Sequence, residues 1–313
     1  MTKSGKSIVI GSVAICISAT LWGLDGIVLT PQLYNLNINF VVFILHALPF
    51  LLMNIVFFRE YRHLKEFTGR DFLYLFLVAL AGGALGTMAI VKALFLVEFK
   101  ELSVVVLLQK LQPVFAITLA ALILREKLNK SFILWAGIAI IAGYFLTFGF
   151  EKPNFDTGAK TSLAAGYSLL AAFCFGSATV LGKRLLRNLS FTSATFYRYG
   201  FTSMIMLVFV LFGGSIGEFE NITHQNWKII LLISITVGSG AIYLYYYGLK
   251  KVPAMLASIC ELCFPLSAIV FDYIFHDKIL SAVQWISVIV MLGAIVRINM
   301  SGRKNSEEIV TGS

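Results

Sequence analysis

The sequence predicts an all-α integral membrane protein. Its expected build is ten transmembrane helices, arranged as two inverted five-helix repeats with both termini in the cytoplasm. Three observations lead there. Of 313 residues, 58% are hydrophobic and only 13% charged, with a mean hydropathy of +0.86, against about 25% charged in an ordinary soluble chain. The apolar residues gather in long continuous runs. Several polar and kinking residues recur at a fixed offset in the two halves.

Disorder is excluded by the same composition, because disordered chains lack aromatics and this one holds 14%, with 27 Phe. Each apolar run is about the 20 residues a bilayer requires. The expected spans are 8–29, 39–58, 72–97, 102–124, 132–150, 162–182, 193–213, 227–248, 254–275 and 281–299. Barrel strands would be half as long and alternating. The first run reads as a span and not as a cleavable leader, since it is long, lacks a small-residue cleavage site and precedes nine more.

Orientation follows from lysine and arginine, which collect in cytoplasmic loops. With the N-terminus inside, the inner segments hold 17 basic residues, namely Lys3, Lys6, Arg59, Arg62, Lys65, Arg70, Arg125, Lys127, Lys130, Lys183, Arg184, Arg187, Lys250, Lys251, Arg297, Arg303 and Lys304. The outer loops hold five, Lys100, Lys152, Lys160, Lys228 and Lys278. This asymmetry accounts for the net charge of +9 without a nucleic-acid partner. The partners expected are the lipid bilayer and a small-molecule substrate; monomer and homodimer both stay open.

Pro113 and Pro265 lie 152 residues apart, and the same offset relates His46 to Arg198, Gly86 to Gly238 and Gln109 to Glu261. Five spans per half is an odd number, so the second half inserts upside down. Inverted repeats are the build of many secondary transporters, with the substrate near the midplane. The units expected are 8–150, 162–299 and a cytoplasmic tail, 300–313.

The order of several short motifs resembles the drug/metabolite transporter superfamily, in its EamA branch. These are Trp22-Gly23, Ala93-Leu94, Leu111-Gln112-Pro113-Val114-Phe115, Glu126-Lys127-Leu128 and the glycine-rich run Gly137 to Gly143. The second half keeps Gly248-Leu249, Phe264-Pro265-Leu266 and Asp277-Lys278. The likeness spans about 8–299. His46 stands where the family pattern has Arg, and Asp277 where it has Glu. The resemblance implies a cavity lined by helices 1–4 and 6–9, with 5 and 10 peripheral, and export of small metabolites such as amino acids by alternating access. Sugars, nucleotide derivatives and cationic compounds are the alternative cargoes, and a channel the alternative mechanism.

Ionisable side chains within spans are functional candidates because they are costly there. At about 1.5 Å per residue, Lys110 lies about 12 Å from the outer face and Glu261 about 10 Å from the inner one. Proline cannot donate to the carbonyl four residues back, so Pro113 and Pro265 kink their helices and free the carbonyls of Gln109 and Glu261. Such exposed backbone is expected only where it lines a cavity. Lys110 could face Glu261 across it, as a cavity pair or a packing pair. His46 is a candidate for proton handling or a helix-to-helix hydrogen bond. Arg198 reads as an anion site, a gate or an interfacial arginine. Lys92, Asp25 and Asp272 read as cavity or mouth residues, and Tyr243, of the Tyr243–Tyr247 cluster, as cavity lining or interfacial belt. Gly82, Gly83, Gly86, Gly238 and Gly240 read as close packing. No catalytic set, cofactor or metal site is expected. Cys260 and Cys263 form C-x-x-C inside an apolar run with no second pair, which suits buried small hydrophobes.

Overall fold

The structure, a computed structural model, describes residues 3–97, 105, 108–151, 159–276, 279 and 281–311. Among them every regular element is helical. They are α1 (Lys3–Leu24), α2 (Ile38–Phe57), α3 (Gly69–Val78), α4 (Gly86–Leu96), α5 (Gln112–Leu119) and α6 (Lys130–Phe148). The second half continues with α7 (Ala159–Leu185), α8 (Phe191–Phe212), α9 (His224–Ile233), α10 (Ser239–Lys251), α11 (Ala254–Cys260), α12 (Cys263–His276) and α13 (Ala282–Thr311).

Among the described residues, nine helical stretches are long and apolar enough to cross a membrane. They are Gly5–Leu33, Ile38–Glu66, Gly69–Leu96, Lys130–Phe148, Ser162–Leu185, Phe191–Phe212, His224–Lys251, Ala254–Phe275 and Ala282–Met300. Each overlaps an expected span. The expected fourth span is represented by the shorter Gln112–Leu124, because much of its first half lies outside the described residues, as do Lys100, Lys152, Asp277 and Lys278.

Helix starts are set by polar residues in the turns. Asn37, Thr68, Asn129, Ser190 and Thr223 each accept a hydrogen bond from an early backbone N–H of the helix that follows, satisfying donors that no preceding turn can reach. Thr223 and Asn226 form a full capping box at the start of α9. The helices are interrupted by wider π-helical turns at Asp25–Leu29, Ala79–Leu85, Ala120–Leu124 and Ser234–Gly238, a form that often marks functional positions.

The packing exchanges helices between the halves. α1 packs on α10 and α12 of the second half, while α7 packs on α4 and α5 of the first. α2 pairs with α8, and α6 with α13, the most extensive contact of all. Large apolar side chains face outward, among them Ile55 (75% exposed), Leu122 (72%) and Phe212 (90%). In water such a surface would mark association sites; in a bilayer it is the ordinary exterior.

Without a hydrophobic drive between helices, close backbone approach holds membrane bundles together. A close backbone crossing joins α1 and α10, where a Cβ on Gly248 would sit 2.5 Å from the Gly11 carbonyl oxygen. Gly82 and Gly83 are similarly tight, against Ala178 and Thr202. The expectation for Gly238 and Gly240 needs correction. A Cβ on either would first meet a carbonyl of its own π-helical turn, that of Ile233 or Ile235, so these glycines serve the local backbone.

Gly248→Val is expected to destabilise the bundle by about 1–3 kcal/mol, the usual cost of overpacking, whereas Gly166→Ala, with no atom within 4 Å of the added carbon, is expected to be neutral. Thermal unfolding in detergent checks both.

Candidate functional site

Two helices break where the prolines predict. α5 begins at Gln112, directly before the buried Pro113, and residues 110–111 form a turn. α11 ends at Cys260 and α12 starts at Cys263, with Glu261 and Leu262 in the turn between. One detail differs from expectation. The Glu261 carbonyl is not left free: the Phe264 N–H, one residue before Pro265, donates to it at 2.9 Å. A tighter turn thus replaces the helical bond that proline removes, and the side chain, not the backbone, is what Glu261 presents.

That carboxylate is held by three donors from three other helices. The Tyr245 hydroxyl of α10 donates to Oε1 at 2.7 Å. The Thr179 hydroxyl of α7 lies 3.2 Å from the same oxygen and 2.8 Å from the Tyr245 hydroxyl. Gln112 Nε2, at the start of α5, donates to Oε2. Gln112 belongs to the first half and the others to the second, so the site bridges the two. Trp22 of α1 leans on Tyr245, ring centroids 5.3 Å apart.

The expected Lys110–Glu261 pair does not form. Lys110 Nζ donates to the Gly143 carbonyl on α6 at 2.8 Å. Lys110 sits in the turn that precedes α5, where its side chain leaves toward α6 while Gln112 is the residue that meets Glu261. Gln112 reaches Glu261; Gln109, half-buried, does not. Lys110 therefore ties α5 to the α6 side.

Arg198 and His46, which the repeat makes equivalent, each pack against a tyrosine. Arg198 on α8 is 8% exposed, with Nη1 3.5 Å from the Tyr246 hydroxyl and its guanidinium carbon 5.6 Å from that ring's centroid. The His46 ring lies 5.4 Å from that of Tyr199, and its Nδ1 meets the Val42 carbonyl at 2.8 Å. Tyr245 and Tyr246 are neighbours on α10, rings 5.9 Å apart, so one short stretch links the Glu261 cluster to the arginine. Asp25 accepts from the Thr30 hydroxyl at 2.9 Å, within the π-helical end of the first span.

Tyr243 belongs elsewhere. Its ring stacks on Phe57 and meets Phe191, and its hydroxyl lies 3.3 Å from that of Thr192. Two positions along a helix turn a side chain by about 200°, which separates Tyr243 from Tyr245. Lys92 is exposed, with Nζ 5.9 Å from the Tyr167 ring centroid. It lines a 610 Å³ cavity with Tyr34, Asn37, Met88, Phe95 and Tyr167, at the end of the bundle where α2 begins. At the opposite end three carboxylates of the first half grip the second. Glu60 accepts from the Ser193 hydroxyl, Asp71 from the Asn188 amide, and Glu126 from the N–H groups of Ala254 and Met255 that open α11.

Sequence reasoning passes over Thr179, holds Tyr245 only as a member of the tyrosine cluster from which Tyr243 is singled out, and quotes Gln112 only as part of a motif. A threonine in an apolar helix carries no signal of its own, since its hydroxyl is usually satisfied by the turn behind it. Gln112 stood in plain view as the polar residue before Pro113.

A helical bundle of membrane-length apolar stretches, with a half-buried carboxylate bonded across both halves, fits an integral membrane transport protein. The chain belongs to the EamA-like transporter family, whose model matches residues 9–149 and 162–300. It is 51% identical over 290 residues to the riboflavin transporter ImpX of Fusobacterium nucleatum, covering 92% of this chain and 97% of that one. It is also 26% identical over 220 residues to an uncharacterized transporter, YxxF, of Bacillus subtilis, covering 66% of each. A solved crystal structure at 15% identity superposes with a TM-score of 0.67 over 96% of this chain and 97% of its own, which shows a shared fold. The family, the apolar helices and the bacterial relatives fit the cytoplasmic (inner) membrane.

Tyr245→Phe is expected to weaken the hold on Glu261 by about 1.5–3 kcal/mol, the usual value of a hydrogen bond to a charged group, and to lower transport. Tyr243→Phe, which touches no part of the cluster, is expected to leave transport within about twofold, as substitutions away from a site usually do. Paired uptake assays in one vesicle preparation compare the two.

Proposed function

We propose that this chain carries riboflavin, or a close flavin, across the cytoplasmic membrane by alternating access. The observation that carries the substrate is the end-to-end likeness to a relative named a riboflavin transporter. The chemistry of the site agrees. Binding sites for small molecules are largely apolar and aromatic with a few placed polar groups. Here Trp22, half-buried against Tyr245, supplies an aromatic face for a planar ring system, while Glu261, Gln112, Thr179 and Arg198 supply polar groups. Export of amino acids, the cargo implied by the resemblance, draws no support from the relatives and gives way to the flavin.

In this reading the moving bodies are two inverted five-helix units, 8–150 and 162–299, with both termini and the 300–313 tail in the cytoplasm. Three features support it: the exchanged helix pairing, the equivalent breaks before Pro113 and Pro265, and the basic residues gathered at one set of loops. The carboxylates Glu60, Asp71 and Glu126 then close the cytoplasmic side, and the cavity at Lys92 and Tyr34 is the outer vestibule. Glu261 is the central coupling residue, while Lys110, Gln109 and Asp25 position helices around it and His46 backs the arginine.

Two measurements check this. Purified protein in liposomes is expected to catalyse saturable counterflow of labelled riboflavin, reduced at least about tenfold in Glu261→Gln, as befits a lost buried charge contact worth more than 1.4 kcal/mol. Riboflavin-loaded vesicles that show no counterflow would overturn the substrate. A green fluorescent reporter fused to the C-terminus is expected to fluoresce and an alkaline phosphatase reporter there to stay inactive; the reverse would overturn the orientation.

A further inference from the structure

We infer that Arg198 selects the cargo, donating two N–H groups to the adjacent acceptors O4 and N5 on the edge of an oxidised isoalloxazine ring. This rests on the flavin reading above and deepens it.

Arg198 is a buried cation with spare donors. A guanidinium carries five N–H groups. The protein acceptor it meets is the Tyr246 hydroxyl, at the long distance of 3.5 Å, with the same ring beneath it. Among the described residues the one ion pair is His63–Glu66, far along the chain. A buried guanidinium left this way is expensive, since desolvation is repaid only by good partners. Its unbonded nitrogens are not sealed from open space, either. The sealed, unbonded side-chain atoms among the described residues are those of Ser12, Glu218, Ser234 and Asn299.

The space around the guanidinium is built. A Cβ on Gly82 would lie 3.1 Å from Arg198 Nη2 and 2.6 Å from the Ala178 Cβ, so the glycine lets the guanidinium lie flat against the π-helical turn. The neighbouring polar groups are already engaged. Glu261 receives Tyr245, Thr179 and Gln112. His46 is bound to its own helix through Val42, and Asp25 to Thr30. The capacity left over at the guanidinium itself is donor capacity, so a ligand that pairs with it must bring acceptors.

A guanidinium presents parallel N–H groups as a fork. In reading DNA, arginine uses that fork on the carbonyl O6 and ring nitrogen N7 of guanine. Oxidised isoalloxazine offers the same arrangement, a carbonyl oxygen (O4) beside an unprotonated ring nitrogen (N5). A carboxylate would also satisfy the fork, and the test separates the two.

The probe is 5-deazariboflavin, which has the shape of riboflavin but a C–H in place of N5. Riboflavin and its deaza analogue compete against labelled riboflavin for counterflow by the full chain in liposomes. Wild type is expected to bind the analogue about tenfold or more weakly, because a site built to donate a charge-assisted hydrogen bond rejects a partner lacking the acceptor. In Arg198→Lys, a point charge without the fork, riboflavin is expected to weaken and the preference to shrink to about twofold. Equal competition by both flavins in wild type overturns the role of Arg198 while leaving the flavin reading intact, and needs no variant to fold. A preference kept by Arg198→Lys overturns it too. Absence of riboflavin counterflow in wild type overturns the flavin reading and this inference together, and counterflow of a labelled simple carboxylate in that case marks the arginine as an anion site.

Discussion

A polar backbone or side chain inside a bilayer has no water to fall back on, so every helix interruption must be covered by protein or open onto a cavity. The rest of the bundle is arranged around that constraint at one place, the break between α11 and α12. Proline removes a helical hydrogen bond there. A short turn recovers the backbone bond through Phe264, and the carboxylate of Glu261 turns inward. Three helices then converge to supply its donors, and one of them, α5, starts at its own proline break. The two breaks are thus coupled through a single side-chain contact, Gln112 to Glu261, which joins the halves at the centre.

The surrounding packing protects that arrangement without freezing it. Glycines bring α1 against α10 and let Arg198 lie beside the Ala79–Leu85 turn. At the Ala79–Leu85 π-helical turn a neighbour's side chain enters, the Thr202 hydroxyl donating to the Ala79 carbonyl. Away from the centre, hydrogen bonds join the halves at both ends: at Glu60, Asp71 and Glu126 on one side, and at Gln32, Asn35 and Asn226 on the other. The second of these ends carries the cavity at Lys92.

Much of the architecture was legible in the chain. Long apolar runs located the helices within a few residues, since a bilayer demands about 20 apolar residues per span. The breaks at Pro113 and Pro265 were legible because proline's missing N–H is a local fact. So was the prominence of Glu261 and Arg198, because buried charge is rare enough in membranes to stand out. What failed were the pairings. Lys110 was matched to Glu261 by charge, yet its side chain leaves in another direction, to Gly143. Tyr243 was chosen from a cluster of four tyrosines, yet Tyr245 carries the contact.

The sequence by itself determined solvent, span placement, the kinks and which charges are buried, because each follows from composition or from the chemistry of one residue. Only the tertiary structure decided partners. Whether Gln109 or Gln112 reaches Glu261 depends on the rotation of α5 relative to α12, and whether Arg198 meets a carboxylate or a tyrosine ring depends on how α8 and α10 cross. A rotation of one residue turns a helix by about 100°, so a polar contact between helices is set by their packing as whole bodies, which no local pattern encodes.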